Sequence, residues 1–504
     1  MSLETTVMRF MSYLDKINML NGVLATLYFD ASTGAPNGAA DSRAKRMGFL
    51  SSEIFSMQVS DEMKGYLDIL GEQQDKLDEV VLAMYRVSKR VYDKKAKTPV
   101  ELVRRFSELK SKAEVIWRDA KNNNDFNAFA PCLQELVAMN KKLLSYREGD
   151  AHPYDMLLDD YEEGLTMQVC DEFFGKLRAS IVPLLRRITE SGKQNDTGLR
   201  GIPVDIAKQR EISRMIAQKV GYDLNRGLIR ETEHPFCSGA GRDDVRITTH
   251  YYENEFLSSF YSIIHECGHA IYEQNKKDEI ANTILDRGIS AGLHESQSRF
   301  YENVLGRSKP FWDYICEELK TYLPEGYSKA TPDMFFKTVN EVKPSLIRIY
   351  ADELTYCLHI MMRYEIEKMM FSDGVDVYDL PRIWNEKMQE YLGLTPPDDA
   401  RGVLQDVHWS AGLMGYFPTY ALGSAYAAQF LAYMRREMDV DALIRKGDFA
   451  VITAWLTKHI HSHGSVYTPA KLVGRIAGEQ LNADYYIEYL TNKFSAVYGL
   501  EAGN

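Results

Sequence analysis

His265 and His269 flank Glu266 in the run Ile263-Ile264-His265-Glu266-Cys267-Gly268-His269-Ala270-Ile271. On an α-helix, residues four apart share one face, about 6 Å apart along the axis. The two imidazoles can therefore hold one ion between them. Glu266 turns toward the same open side, where a carboxylate can take a proton from a metal-bound water. This is the pattern of a metal-dependent peptidase. The apolar flanks seat the helix in a core and keep the ligand geometry rigid. Because the pattern also arises by chance in roughly one or two chains per hundred, the rest of the site has to be found.

Two histidines leave a catalytic site one protein ligand short. Glu273 shares their helix face but lies a turn beyond His269, away from the ion. A second helix, expected from about residue 293 after the turn at Gly288 and Gly292, carries His294-Glu295-Ser296-Gln297. Glu295, in what reads as its first turn, is favoured over Glu302, which lies deeper in that helix. His294 could be a ligand or a substrate contact, and the pattern leaves both open. Cys267 points away from the histidines and reads as a small buried residue.

Peptide hydrolysis also needs donors for the oxyanion, and an exopeptidase needs a cation for the terminal carboxylate. Gly402 to Trp409 offers His408, and Gly415 to Gly423 offers Tyr416 and Tyr420, although tyrosine is common here, 31 of 504 residues. His408 could equally be a buried histidine held by Asp406. Arg348 stands among apolar neighbours, and Asp352, one turn on, could be its structural partner.

The elements that must position these residues are mostly helical. Periodicity of 3.6 predicts helices through the first 150 residues, with a first interruption at Asp30 to Gly38 and segments at about 40–58, 60–93, 99–122 and 125–146. Others follow at about 167–193 and 205–219. A segment rich in Gly and Pro, Thr232 to Arg242, leads into Asp244-Val245-Arg246-Ile247-Thr248-Thr249-His250, the clearest strand signal in the chain. An extended peptide can pair with such a strand's edge. No internal repeat or low-complexity linker divides the chain.

Hydrophobic residues make up 45% and charged residues 26%, and the net charge of −12 without a long basic run argues against nucleic acid. Six cysteines without CxxC spacing read as free thiols of a reducing cytosol. No signal peptide is evident, and the stretch Tyr420 to Met434, broken by Gln429, is too short for a bilayer. A cytoplasmic protein without membrane partners is the expectation.

Several of these segments together resemble one family, the thermostable carboxypeptidases or carboxypeptidase Taq metallopeptidases. His234-Pro235-Phe236 resembles its HPF motif, Asp244 to Thr248 its DxRxT, His265 to His269 its HExxH and His294 to Gln297 its HESQ. Ile347-Arg348 through Asp352 resembles IRxxAD, and Gly402 to Trp409 resembles GxxQDxHW. Tyr154 to Thr166 is also similar, whereas Phe29-Asp30 stands where the family has Trp-Asp. The resemblance implies one catalytic domain over 1–504, with an N-terminal helical part to about 150 and a metal and substrate part beyond. It implies a mainly α, two-lobed, zincin-like body around a deep active-site cleft, with a small β element beside the metal helix. It further implies release of single C-terminal residues from peptides with broad preference, one zinc per subunit (cobalt as a substitute) and a homodimer. By position, His265, His269 and Glu295 would bind the metal, Glu266 would be base and then acid, and Arg348 would hold the substrate carboxylate. By looser similarity, His408 and Tyr420 would stabilise the oxyanion. His234, Arg246, His294 and Asp352 would make cleft or supporting contacts. A zinc endo-oligopeptidase on a related helical scaffold is the competing reading, and product size separates the two.

Overall fold

Apolar residues recur at helical spacing through most of the sequence. The computed structural model, which describes residues 2–195, 197–372 and 374–500, is accordingly built mainly of α-helices. The helices expected at 40–58, 99–122, 125–146, 167–193 and 205–219 run Ala40–Gln58, Val100–Asn123, Phe126–Leu144, Met167–Glu190 and Ile206–Val220. The stretch expected as one helix over 60–93 is two, Asp61–Gly71 and Glu79–Lys95. Ser60 and Asp78 explain the division. Each side chain accepts a backbone N–H of the following first turn, from Met63 at 3.0 Å and Val81 at 2.8 Å, so each starts a helix of its own. The N-terminal helix, Leu3–Thr33, runs through Asp30 before it ends at Gly34.

Three short strands form the one sheet among the described residues: β1 (Gly227–Glu231), β2 (Cys237–Gly241) and β3 (Asp244–Thr249). Central β3 pairs parallel with β1 and antiparallel with β2, with a bulge between Gly239 and Gly241. The Gly/Pro-rich connector thus contains a strand that its composition hides, since Cys-Ser-Gly-Ala-Gly has no β-branched residue. Glycine is needed there: a Cβ on Gly239 would stand 2.8 Å from the Asp244 carbonyl oxygen. β3 packs on the helix Phe256–Gln274, which carries the histidine motif, through the fully buried Val245 and Ile247.

The chain groups into two compact units that interleave in sequence. The first comprises Met1–Ala96, Thr197–Val339 and Phe430–Gln480, and contains the sheet and the histidine motif. The second comprises Lys97–Asp196, Asn340–Gln429 and Leu481–Asn504, and contains Arg348, His408 and Tyr420. No described helix is long and apolar enough to cross a membrane.

Candidate active site

The motif helix Phe256–Gln274 is anchored by Phe256, Phe260, Ile263, Ile264, Cys267, Ala270, Ile271 and Tyr272, all buried. Burying each large side chain is worth about 1.5–3 kcal/mol, so the helix is fixed in rotation and its polar face is held outward. Cys267 belongs to the buried face, as its direction on the helix requires.

The helix that crosses the motif helix starts earlier than expected. Ser290 caps it by accepting the Leu293 N–H at 3.1 Å, so it runs Ala291–Arg299 and Glu295 falls in its second turn. Gly268, inside the motif, makes the crossing possible. A Cβ there would stand 2.5 Å from the Gln297 carbonyl oxygen and 2.6 Å from the Ser298 Cα. The two backbones thus approach closely enough for Glu295 to reach the histidines.

Ligand atoms of His265, His269 and Glu295 lie within 4.8 Å of one another. Glu295 Oε2 is 3.8 Å from His265 Nε2 and 3.5 Å from His269 Nε2. With metal–nitrogen and metal–oxygen bonds of about 2.0–2.2 Å, the edge of a tetrahedral site is about 3.4 Å. The two imidazoles and the carboxylate therefore suit one divalent ion of borderline softness. Glu266 is 5% exposed, and its Oε2 has no hydrogen-bond partner among the described residues. Burial raises its carboxyl to about 7 in the metal-free protein, against the opposing pull of His265.

Hydrogen-bonded partners fix His265 and Glu295, whereas His269 Nδ1 has none among the described residues. Glu302, passed over as a ligand, accepts a hydrogen bond from His265 Nδ1 at 2.8 Å, which turns Nε2 toward Glu295. It sits in a π-helical turn, Phe300–Gly306, that continues the crossing helix. Arg299 Nε donates to Glu295 Oε1 at 2.7 Å and Arg307 donates to Glu302 at 2.9 Å. For both carboxylates burial opposes ionisation, but Arg299 and the neighbouring histidines outweigh it and hold them well below the usual range. Burial pulls His265 down, yet Glu295 and Glu302 leave it raised, whereas burial and His294 lower His269 to about 4.

His294 stacks on His269 at 4.4 Å and hydrogen-bonds Glu273 at 2.9 Å. The ring is thus held beside the ligand set by the same Glu273 that lies too far along the motif helix to join it. Gly288 leaves room for it, since a Cβ there would stand 2.5 Å from the His294 ring. Arg246, on β3, is forked onto Asp244 at 2.6 and 2.7 Å and lies over the Phe29 ring. His234 is exposed in the connection from β1 to β2, with no side-chain partner among the described residues.

In the second unit, Arg348, Asp406, His408 and Tyr420 cluster with Arg363. Arg348 is 7% exposed; its Nε donates to Asp406 Oδ1 at 2.9 Å and its Nη1 to Tyr356 at 3.1 Å. Arg363 donates to the other Asp406 oxygen at 2.6 Å and to Gln405 at 2.8 Å. Asp406 lies well below the usual carboxylate range because the two guanidinium groups overcome its burial. Asp352, expected as a partner of Arg348, instead caps the helix Glu353–Phe371 by accepting the Thr355 N–H, and its other oxygen takes the Lys343 N–H. Nor does Asp406 hold His408 by a hydrogen bond, because both its oxygens face arginines. His408 Nε2 lies 3.2 Å from the Tyr420 hydroxyl, and the ring stacks on Phe417 at 4.4 Å. Burial lowers His408 to about 4, so it is neutral at pH 7. Trp409 Nε1 donates to Glu367 at 2.9 Å. Gln405, Asp406 and Trp409 therefore tie their segment to the helix Glu353–Phe371.

Comparison with known proteins gives one consistent answer. The family model described as Carboxypeptidase Taq (M32) metallopeptidase matches residues 9–494. Carboxypeptidase 1 of Bacillus subtilis is 43% identical over 99% of this chain and 100% of its own. Thermostable carboxypeptidase 1 of Thermus thermophilus is 35% identical over 95% of this chain and 96% of its own. The crystal structure of the M32 carboxypeptidase from Deinococcus radiodurans superposes with a TM-score of 0.94 at 33% identity, covering 98% of this chain and all of that one.

Proposed function

The chain belongs to the carboxypeptidase Taq (M32) metallopeptidase family, and from that premise we propose that it releases single amino acids from peptide C-termini with broad preference, using one zinc ion and Glu266 as general base. The observation that carries the reading is the convergence of His265, His269 and Glu295 beside the unpartnered Glu266 oxygen. A bound zinc ion would supply a Lewis acid for the scissile carbonyl and acidify a water; cobalt offers similar coordination.

His265, His269 and Glu295 would hold that ion, with Glu302 and Arg299 keeping the first and third in place. Glu266 Oε2 would take the proton of the attacking water and return it to the leaving amine. His408 and Tyr420 would stabilise the oxyanion, the tyrosine as donor and the neutral imidazole as its neighbour. Arg348 would hold the substrate carboxylate, because one aspartate shared between two arginines leaves a net positive charge. His294, Arg246, His234 and Asp352 would support substrate or ligands from around these groups.

We also infer a homodimer in the cytoplasm and a single catalytic domain. The six free cysteines support a reducing compartment. The test is product analysis on N-blocked peptides and their C-amidated counterparts. Free amino acids from the first and no cleavage of the second are expected. Internal cleavage of both would replace this reading with an endo-oligopeptidase.

A further inference from the structure

A cavity of about 500 Å3 lies within the first unit, and none of its lining residues is a proposed metal ligand. His294 and Glu273 form one wall, and so connect it to the metal site through the ring stacked on His269. The five residues of β2 form another. Their side chains are small, so the cavity reaches the backbone of an edge strand. Arg287 lines the same space. It is exposed to solvent, and the protein packed near it lowers its guanidinium against the pull of Glu273 and Asp286.

Arg287 differs from the other charged groups there in having no partner. Its side chain makes no hydrogen bond or ion pair with any described residue. Glu273 is taken by His294 and Lys276. Asp286 accepts the backbone N–H groups of Asn282 at 2.7 Å and Arg242 at 3.4 Å on one oxygen, and its other oxygen has no hydrogen-bond partner among the described residues. A guanidinium that no described residue engages keeps its planar fork of donors free, and that fork matches a carboxylate. The volume falls within the range of small-ligand pockets, about 300–1,000 Å3.

We propose that Arg287 is a specificity residue that binds the side-chain carboxylate of an aspartate or glutamate flanking the scissile bond. The proposal rests on the carboxypeptidase reading, with Arg348 reserved for the terminal carboxylate. It is tested with metal-loaded enzyme on two substrate pairs, acetyl-Ala-Glu against acetyl-Ala-Gln and acetyl-Glu-Ala against acetyl-Gln-Ala. A hydrogen bond to a charged group is worth about 1.5–3 kcal/mol, so Arg287→Ala should lower the acidic-to-amide ratio of kcat/KM about tenfold in one pair. Arg287→Lys should keep part of the preference, and Arg287→Glu should move it toward lysine-bearing peptides. Ratios unchanged in both pairs would overturn the proposal. So would an equal loss on acidic and amide peptides, which would mean that the terminal carboxylate is what Arg287 meets. Binding of the same peptides to the Glu266→Gln protein reads the ratio without turnover. An inactive wild type would therefore sink the carboxypeptidase reading while still deciding this one.

Discussion

The two units each bury a cluster of charged groups, but the clusters are left open in opposite ways. In the second unit Asp406 is shared, one oxygen on Arg348 and the other on Arg363, with Gln405 accepting from Arg363, so the two guanidinium groups keep one positive charge over. In the first unit the supporting pairs are complete, Arg299 on Glu295 and Arg307 on Glu302. Yet the histidine nitrogens and one Glu295 oxygen converge on a common point, and Glu266 keeps an oxygen with no partner among the described residues. A surplus of positive charge suits a carboxylate, whereas ligands left open at a single point select a cation. Arg348 and Glu266 show the difference locally. The arginine has four polar or aromatic neighbours, and the glutamate keeps an oxygen with no partner among the described residues.

Four experiments sharpen or break that contrast. Glu266→Gln removes the open group without disturbing a ligand, so metal content should hold while kcat falls about 10³-fold. Metal content and turnover measured together check it, and unchanged turnover would end the general-base role. Asp406→Asn leaves two buried arginines short of their counter-charge. It should cost about 3 kcal/mol of stability, seen as a lowered denaturation midpoint. A midpoint like the wild type's would show that the second cluster is not paired as described. Glu302→Gln loosens His265 without touching the ion, and should weaken metal affinity about tenfold or more in a competition with chelator. Finally, Glu295 and Glu302 raise His265, so in the metal-free protein it stays protonated to higher pH than an ordinary histidine. Binding an ion must expel that proton. Affinity should thus fall as pH drops through the raised value, by about tenfold per unit at most, and Glu302→Gln should move the fall to lower pH. A pH-independent affinity would remove His265 from the ligand set.

Much of the fold could be read from periodicity. Ile206–Val220 lies within a residue of its expected span because it buries one stripe of Ile212, Ile216, Ala217 and Val220, and Ala40–Gln58 matches its span although only Ile54 is buried. What escaped depends on partners far along the chain. β2 has no strand composition of its own and exists because β3 pairs with it. Asp406 is 58 residues from Arg348, whereas Asp352, which at helical spacing could have been its structural partner, caps a helix. The role of Glu302 was missed because spacing along its own helix does not show that its carboxylate meets the Nδ1 of His265 on another helix.

The amino-acid sequence by itself determined the motif helix and its metal-binding face, since i and i+4 share a face of any α-helix. It also determined the types of donor available and, through ordered resemblance, the family. Tertiary structure alone decided which carboxylate meets the histidines, because that depends on how closely two helices cross at Gly268. It also decided which charges are satisfied and which, like Arg287, are left to face a cavity. Such outcomes rest on distances between side chains remote in sequence, and local spacing does not encode them.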